Sequence, residues 1–188
     1  MAEAVFRSAV TSSPTLLIGD IDSAGTASYH NPEPPNPRTM STLHRHGITD
    51  YEHTARTVTK EDFRTFDYIL AMDGNNLRDL LRARNSVLTI EKKGGSSRAA
   101  SNVSDYSVGP IGSSSSEEKI AEVRLFGDFG PGGTIQSRVG GGEEVQDPYY
   151  GSTQDYEEVY EQVVRFSKAF LAYLETEWKA GVAEESYN

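Results

Sequence analysis

Asp147, Pro148, Tyr149, Tyr150 and Gly151 place an acid, a rigid proline, two adjacent aromatics and a glycine in one short run, just ahead of a long segment with an apolar stripe. Taken alone, Asp-Pro is a common turn pair, and two tyrosines before a helix suit a core as well as a surface. The run gains meaning only from its company, and other reactive residue types are sparse. The chain has no cysteine, which excludes a disulfide framework, thiolate metal sites and a thiol nucleophile within these residues. His44 and His46 stand two apart on an expected helix, so they do not face the same way. No carboxylate cluster joins them or His53, and His30 falls in a proline-rich loop. No metal and no cofactor are expected. Gly140, Gly141 and Gly142 are followed by Glu143 and Glu144, not by a lysine and a helix, so they read as a linker and not as a phosphate cradle.

The elements that must position such residues are legible in part. Ala2, Ala4, Val5, Ala9 and Val10 recur at helical spacing, with Glu3 and Arg7 an i, i+4 pair. No N-cap residue precedes them. Leu16, Leu17, Ile18 and Ile21 predict a buried strand ending at Asp22-Ser23-Ala24-Gly25-Thr26. A proline-rich loop follows. Asn36 and Pro37 then suit the N-cap and first position of a helix that stops at Gly47. Thr59-Lys60-Glu61-Asp62 resembles a capping box with Asp for the usual Glu, with Phe63 and Phe66 packed beneath it. Tyr68 to Met72 is a continuous apolar run, which suits a parallel strand covered on both faces. A helix is expected from Asn75 to Arg84 and a last strand at Val123 to Phe126. The stripe from Tyr156 to Trp178 predicts a long helix with a core face, ending at Gly181. Strands alternating with helices give an α/β fold with a parallel sheet.

Two stretches break the pattern. Residues 92–118, rich in serine and glycine, hold almost no large apolar side chains and are expected to be a disordered insertion. Within them Arg98-Ala99-Ala100-Ser101 resembles a basophilic kinase site. Residues 130–142 hold six glycines and are expected to be a flexible loop. One domain over residues 1–188 is the simplest reading of the length.

Charge narrows the partners. The chain has 188 residues and a net charge of −10, which argues against a nucleic-acid or anionic-membrane binder. From Glu143 to Asn188 there are 11 acids and 3 bases, the pattern of a solvated helix face. No apolar run reaches the length of a bilayer span. The first residues lack the basic region of a signal peptide, so the cytoplasm is the expected compartment.

Several segments, in order, resemble the low-molecular-weight protein tyrosine phosphatases. They are Met1 to Arg7, Asp22 to Thr26, Asn36-Pro37-Arg38, His46-Gly47-Ile48, His53-Thr54-Ala55-Arg56, Thr59 to Phe63, Phe66 to Asp73, Asn76 to Leu80 and Asp147 to Gly151. Each is weak alone; the ordered set is specific. The added loop and Phe126-Gly127-Asp128-Phe129-Gly130 resemble fungal members. The resemblance implies a Rossmann-like fold, a four-stranded parallel sheet flanked by helices. It implies phosphotyrosine proteins or small aryl phosphates as substrates.

It also implies a mechanism. In the family a Cys-x5-Arg-Ser/Thr-Pro loop cradles phosphate at a helix N-terminus, where the cysteine thiolate attacks phosphorus. An aspartic acid protonates the leaving phenolate and later activates water. Asp147 matches that acid. Tyr149 and Tyr150 match the aromatic wall beside the substrate ring, and Tyr29 a further aromatic at the rim. Ser23 and His53 match residues that support the phosphate loop. Arsenate reductases share the fold and loop but rely on further cysteines, so the aromatic pair favours the phosphatase.

One departure is large. Met1 to Phe6 match the residues that follow the phosphate loop. The resemblance therefore implies that the central first strand, the nucleophilic cysteine and the phosphate-binding arginine are missing from this chain, which is expected to be inactive as written. Either an internal methionine stands as the start of a longer protein, or a shortened product is made as such. The intact acid loop favours the former; the latter would be a non-catalytic binding or decoy protein. Losing a central strand removes roughly 1.5–3 kcal/mol per buried apolar residue from a margin of roughly 5–15 kcal/mol, so such a chain is expected to fold poorly.

Overall fold

Successive side chains of a strand point to opposite faces, and the apolar run at Tyr68 uses both. The computed structural model describes residues 1–12, 16–27, 32–95 and 119–185. Strand β1 (Tyr68–Ala71) pairs in parallel with β2 (Glu122–Leu125), with Ile69 opposite Val123 and Ala71 opposite Leu125. Helix α4 (Gly74–Gly95) follows β1 in the chain, so the chain returns to the sheet in a β–α–β path. On one face Ile69 and Ala71 join Phe63, Leu77, Leu80, Val87, Val123 and Leu125 in one core. On the other, Tyr68, Leu70 and Met72 pack against a larger core built from Ala4, Val5, Leu43, Val163, Phe166 and Phe170.

The second core is the meeting place of three helices: α1 (Ala2–Thr11), α2 (Pro37–Arg45) and α5 (Thr153–Glu185). Asn36 caps α2 as expected, its side chain accepting from the Arg38 N–H at 2.9 Å, with Pro37 in the first turn. Short helix α3 (Asp62–Thr65) starts at the expected capping box. Thr59 N–H donates to Asp62 Oδ2 at 2.7 Å, and the Asp62 N–H donates back to Thr59 Oγ1 at 3.4 Å.

Four expectations need correction. Residues 16–21 form no strand: they are unpaired, and Leu17 is fully exposed. A strand is stabilised by its neighbours' backbone groups, and only Gly25 finds one, in a bridge to Thr57. Of the four-stranded sheet, whose first strand was expected to be missing from this chain, the described residues accordingly form one parallel pair, beside a small antiparallel hairpin of β3 (Phe129–Gly130) and β4 (Thr134–Ile135). Helix α4 continues to Gly95, so the first residues of the expected 92–118 insertion are helical; the rest of it, with Arg98 to Ser101, lies outside the described residues. Helix α5 runs through Gly181 to Glu185, and Trp178 is half-exposed (53%), beyond the core.

Residues 130–142, expected to be a flexible loop, take their hydrogen bonds from a residue just ahead of them. Asp128 is fully buried, and its carboxylate accepts the N–H groups of Leu125 (3.1 Å), Gly140 (2.9 Å) and Gly142 (2.8 Å). One side chain thus pins both ends of the glycine-rich stretch. Gly127 and Gly142 allow the close approach: a Cβ on Gly142 would stand 2.0 Å from the Gly127 carbonyl oxygen. From there the chain passes Val145, whose N–H bonds the Met72 carbonyl at 2.7 Å just past β1, and reaches Asp147.

Candidate active site

Two constellations contain the described candidates. The first centres on Glu3, which the sequence marks only as the i, i+4 partner of Arg7. Glu3 is buried, at 5% exposure. Its carboxylate accepts from Ser23 Oγ at 2.6 Å and from the Tyr51 hydroxyl at 3.0 Å. It also pairs with Arg7 at 2.9 Å and stands 3.2 Å from His53 Nδ1. Burying a carboxylate is costly unless donors surround it, and here four side chains do so. Ser23 and His53 are therefore neighbours, with Ser23 Oγ 3.5 Å from His53 Nε2. Burial, then the Glu3 charge, pushes the Tyr51 phenol well above the ordinary tyrosine range.

Asp22 extends this cluster. Its carboxylate lies 3.8 Å from His53 Nδ1 and 2.7 Å from Arg56 Nε. Arg56 reaches on to both oxygens of Asp62 at 2.9 and 3.1 Å, and Arg7 Nη2 donates to the Ile21 carbonyl at 2.5 Å. The turn around Ser23 is thus held from α1, from the His53–Arg56 segment and from α3. Glu3, Asp22 and His53 offer ligand atoms within 4.8 Å of one another, a set with the spacing of a cation site that the histidine-based reading missed. Each member already has a hydrogen-bond or ion-pair partner within the cluster.

The second constellation is the acid loop. Asp147 and Tyr150 are exposed, Tyr150 at 94%, and Tyr149 at 47%. Asp147 Oδ1 accepts the Tyr149 N–H at 3.0 Å, and the Gly151 N–H bonds the Pro148 carbonyl at 2.9 Å, so the run is a side-chain-closed turn. The two tyrosine rings meet edge to face at 4.9 Å. Ser152 then caps α5, its N–H and hydroxyl both donating to Asp155 at 2.5 and 2.6 Å. These bonds, the Ser152 hydroxyl first, hold the Asp155 carboxyl below the usual carboxylate range.

Helices α2 and α5 carry the loop. Arg45 Nε donates to Glu157 Oε1 at 2.8 Å, and His46 Nε2 lies 2.7 Å from Glu157 Oε2 while its ring stacks on Tyr160 at 3.7 Å. At the other end of α2, Arg38 contacts the loop directly: Nη1 donates to the Gly151 carbonyl at 2.8 Å and Nη2 to the Tyr149 carbonyl. Tyr29 lies outside the described residues.

The sequence profile of the family described as Low molecular weight phosphotyrosine protein phosphatase matches residues 1–109. A protein of that name from Gallus gallus is 39% identical over 171 residues, covering 91% of this chain and 84% of its own. The Homo sapiens protein of the same name is also 39% identical with the same coverage. The chain belongs to the low-molecular-weight phosphotyrosine protein phosphatase family. The Schizosaccharomyces pombe phosphatase is 36% identical over 172 residues, covering 91% of this chain and 85% of its own. A crystal structure of a protein tyrosine phosphatase from Entamoeba histolytica superposes with a TM-score of 0.64 at 23% identity, covering 94% of this chain and 88% of that one. It speaks for the fold alone.

Proposed function

We propose that this molecule's chemistry is hydrolysis of phosphotyrosine in proteins, or of small aryl phosphates, with Asp147 as the proton donor. The observation that carries the reading is the turn in which the Tyr149 N–H fixes the Asp147 carboxylate while two exposed tyrosine rings stand beside it. A carboxyl group so placed gives its proton to the departing phenolate oxygen as the phosphorus–oxygen bond breaks and a sulfur–phosphorus bond forms. Water then attacks phosphorus, its proton passes to Asp147, and the sulfur–phosphorus bond breaks. Tyr149 and Tyr150 flank the substrate ring. Ser23 and His53, fixed on Glu3, support the phosphate-binding loop. No metal takes part in this route.

The 188 residues contain no cysteine, so the thiolate is not among them. The chain by itself performs no turnover by this route, and a Cys-x5-Arg-Ser/Thr-Pro segment joined ahead of Met1 supplies what is lacking. In that longer protein Asp147→Asn lowers kcat for phenyl phosphate about a hundredfold or more. The loss is smaller for p-nitrophenyl phosphate, whose leaving group needs less protonation. Equal losses on both substrates would remove Asp147 from the acid's role.

A second reading has one observation in its favour. With no thiol present and Tyr150 almost fully exposed beside acidic residues, the chain would act as a non-catalytic binding protein. Saturable binding to a defined partner by the 188-residue chain, lost on Tyr150→Ala, would favour it.

A further inference from the structure

Arg38 was legible in the sequence only as part of the Asn36-Pro37-Arg38 helix start. In the structure it is the point where α2 grips the acid loop. Its backbone N–H is fixed by the Asn36 cap at 2.9 Å. Its guanidinium spreads across Tyr150 to reach the carbonyls on either side, those of Tyr149 and Gly151. The same group lies over the Tyr156 ring, 4.7 Å from its centroid, in the first turn of α5. Tyr156 is itself among the most buried side chains, at 2% exposure. Two loop carbonyls are thereby tied to a helix and to a buried ring at once.

The tie runs straight to the acid. Tyr149 is held at both ends of its backbone: its N–H by the Asp147 carboxylate at 3.0 Å, and its carbonyl by Arg38. Gly151 is held likewise, its N–H by the Pro148 carbonyl and its own carbonyl by Arg38. The Pro148–Tyr149 peptide is one rigid plane, bonded through its N–H to Asp147 and through its carbonyl to the Gly151 N–H. Arg38 holds the carbonyls of the two residues that supply those N–H groups, which restricts the backbone dihedrals of Tyr149 and Gly151 and so the rotation of the plane whose N–H orients Asp147. We propose that Arg38 is a positioning residue for Asp147, holding the loop so that the carboxyl keeps one direction. The proposal rests on Asp147 serving as the acid. Arg38 itself touches no reacting atom.

The contact set suits arginine and not lysine. A planar fork spans two acceptors and stacks on a ring at the same time, whereas an ammonium is a point charge that does none of these together. The charge is held by two carbonyl dipoles and an aromatic face, and the preorganised fork loses less side-chain freedom per hydrogen bond than a lysine would.

The experiment follows backbone amides of the full chain by nuclear magnetic resonance, comparing the parent with Arg38→Ala, Arg38→Lys and Arg45→Ala. Arg45→Ala removes the arginine contact with Glu157 at the far end of α2, leaving that of His46, and leaves the loop contacts alone. The expected result is that both Arg38 variants shift the Tyr149 amide proton away from its carboxylate-bonded position. Exchange at Tyr149 and Gly151 should rise about tenfold, while α1, α4 and the β1–β2 pair keep their protection. Arg45→Ala should leave the Tyr149 signal in place. An unchanged Tyr149 signal in Arg38→Ala would overturn the proposal. So would full retention in Arg38→Lys, or a loss spread evenly over all elements and shared by Arg45→Ala, which marks a general structural role. The readout needs no turnover, so it is decided separately from the leaving-group comparison that decides Asp147.

Discussion

At Glu3 a single buried carboxylate gathers Ser23, Tyr51, Arg7 and His53. Its removal leaves those donors facing a void, so Glu3→Ala should cost about 3 kcal/mol in a urea unfolding titration. Ser23→Ala, which deletes one donor and no charge, should cost about 1 kcal/mol. Equal effects from the two would show that the carboxylate is not the hub. Tyr51 offers an independent check. Its phenol ionises later than an ordinary tyrosine because burial and Glu3 oppose the phenolate. Its raised folded value makes the associated stability complete below about pH 10 and lost as pH climbs toward that value. A base titration followed at 295 nm should show Tyr51→Phe removing a late-ionising group. Ser23 and His53 were legible because their motifs are; Glu3 was not, since a helix-surface ion pair and a buried hub read alike until the third dimension is known. Arg38 escaped for the same reason: its partners are backbone carbonyls more than a hundred positions away, which leave no trace in residue type.

Among the elements, helices were the most legible, because a 3.6-residue stripe records its own burial face. The α2 and α5 registers follow from it, as does the Asn36 cap. Strand β1 was legible from its unbroken apolar run. The expected strand at residues 16–21 was not realised, because apolar composition states a preference for burial and cannot supply the neighbouring strand that makes a sheet. The bonds of the glycine-rich stretch were not legible, because Asp128, from outside it, accepts two of its backbone N–H groups, those of Gly140 and Gly142. Asp128→Ala should therefore lower stability by about 3 kcal/mol and raise hydrogen exchange across residues 136–145. Ser167 presents the opposite case. It is fully buried in α5, and its hydroxyl has no hydrogen-bond partner among the described residues, so Ser167→Ala should raise the unfolding free energy by about 1 kcal/mol. The α2–α5 tie should respond to acid. His46 first, then Arg45, hold the Glu157 carboxyl below the usual range. The stability it lends is full above about pH 4.3 and lost as pH falls through the lower folded value. Unfolding midpoints measured from pH 6 to pH 3 should fall less steeply in Glu157→Gln than in the parent.

At the scale of the molecule, one parallel strand pair divides two cores, and the loop that carries Asp147 is reached only after the chain has been pinned by Asp128 and tied back to Met72. The α/β class and the order of helices were legible from alternation alone. The size of the sheet was not, because strand pairing is a property of the whole chain. Among the described residues no helix is long and apolar enough to cross a membrane. The chain belongs to the low-molecular-weight phosphotyrosine protein phosphatase family, and its 188 residues contain no cysteine. The central claim is that they supply the proton donor and its scaffold and not the nucleophile. The most direct measurement is hydrolysis of p-nitrophenyl phosphate by the purified 188-residue chain, beside the same chain with a Cys-x5-Arg-Ser/Thr-Pro strand and loop joined ahead of Met1. The account predicts no turnover from the first and thiol-dependent turnover from the second, reduced by Asp147→Asn. Vanadate-sensitive turnover by the 188-residue chain alone, or none from the joined chain once folded, would contradict it.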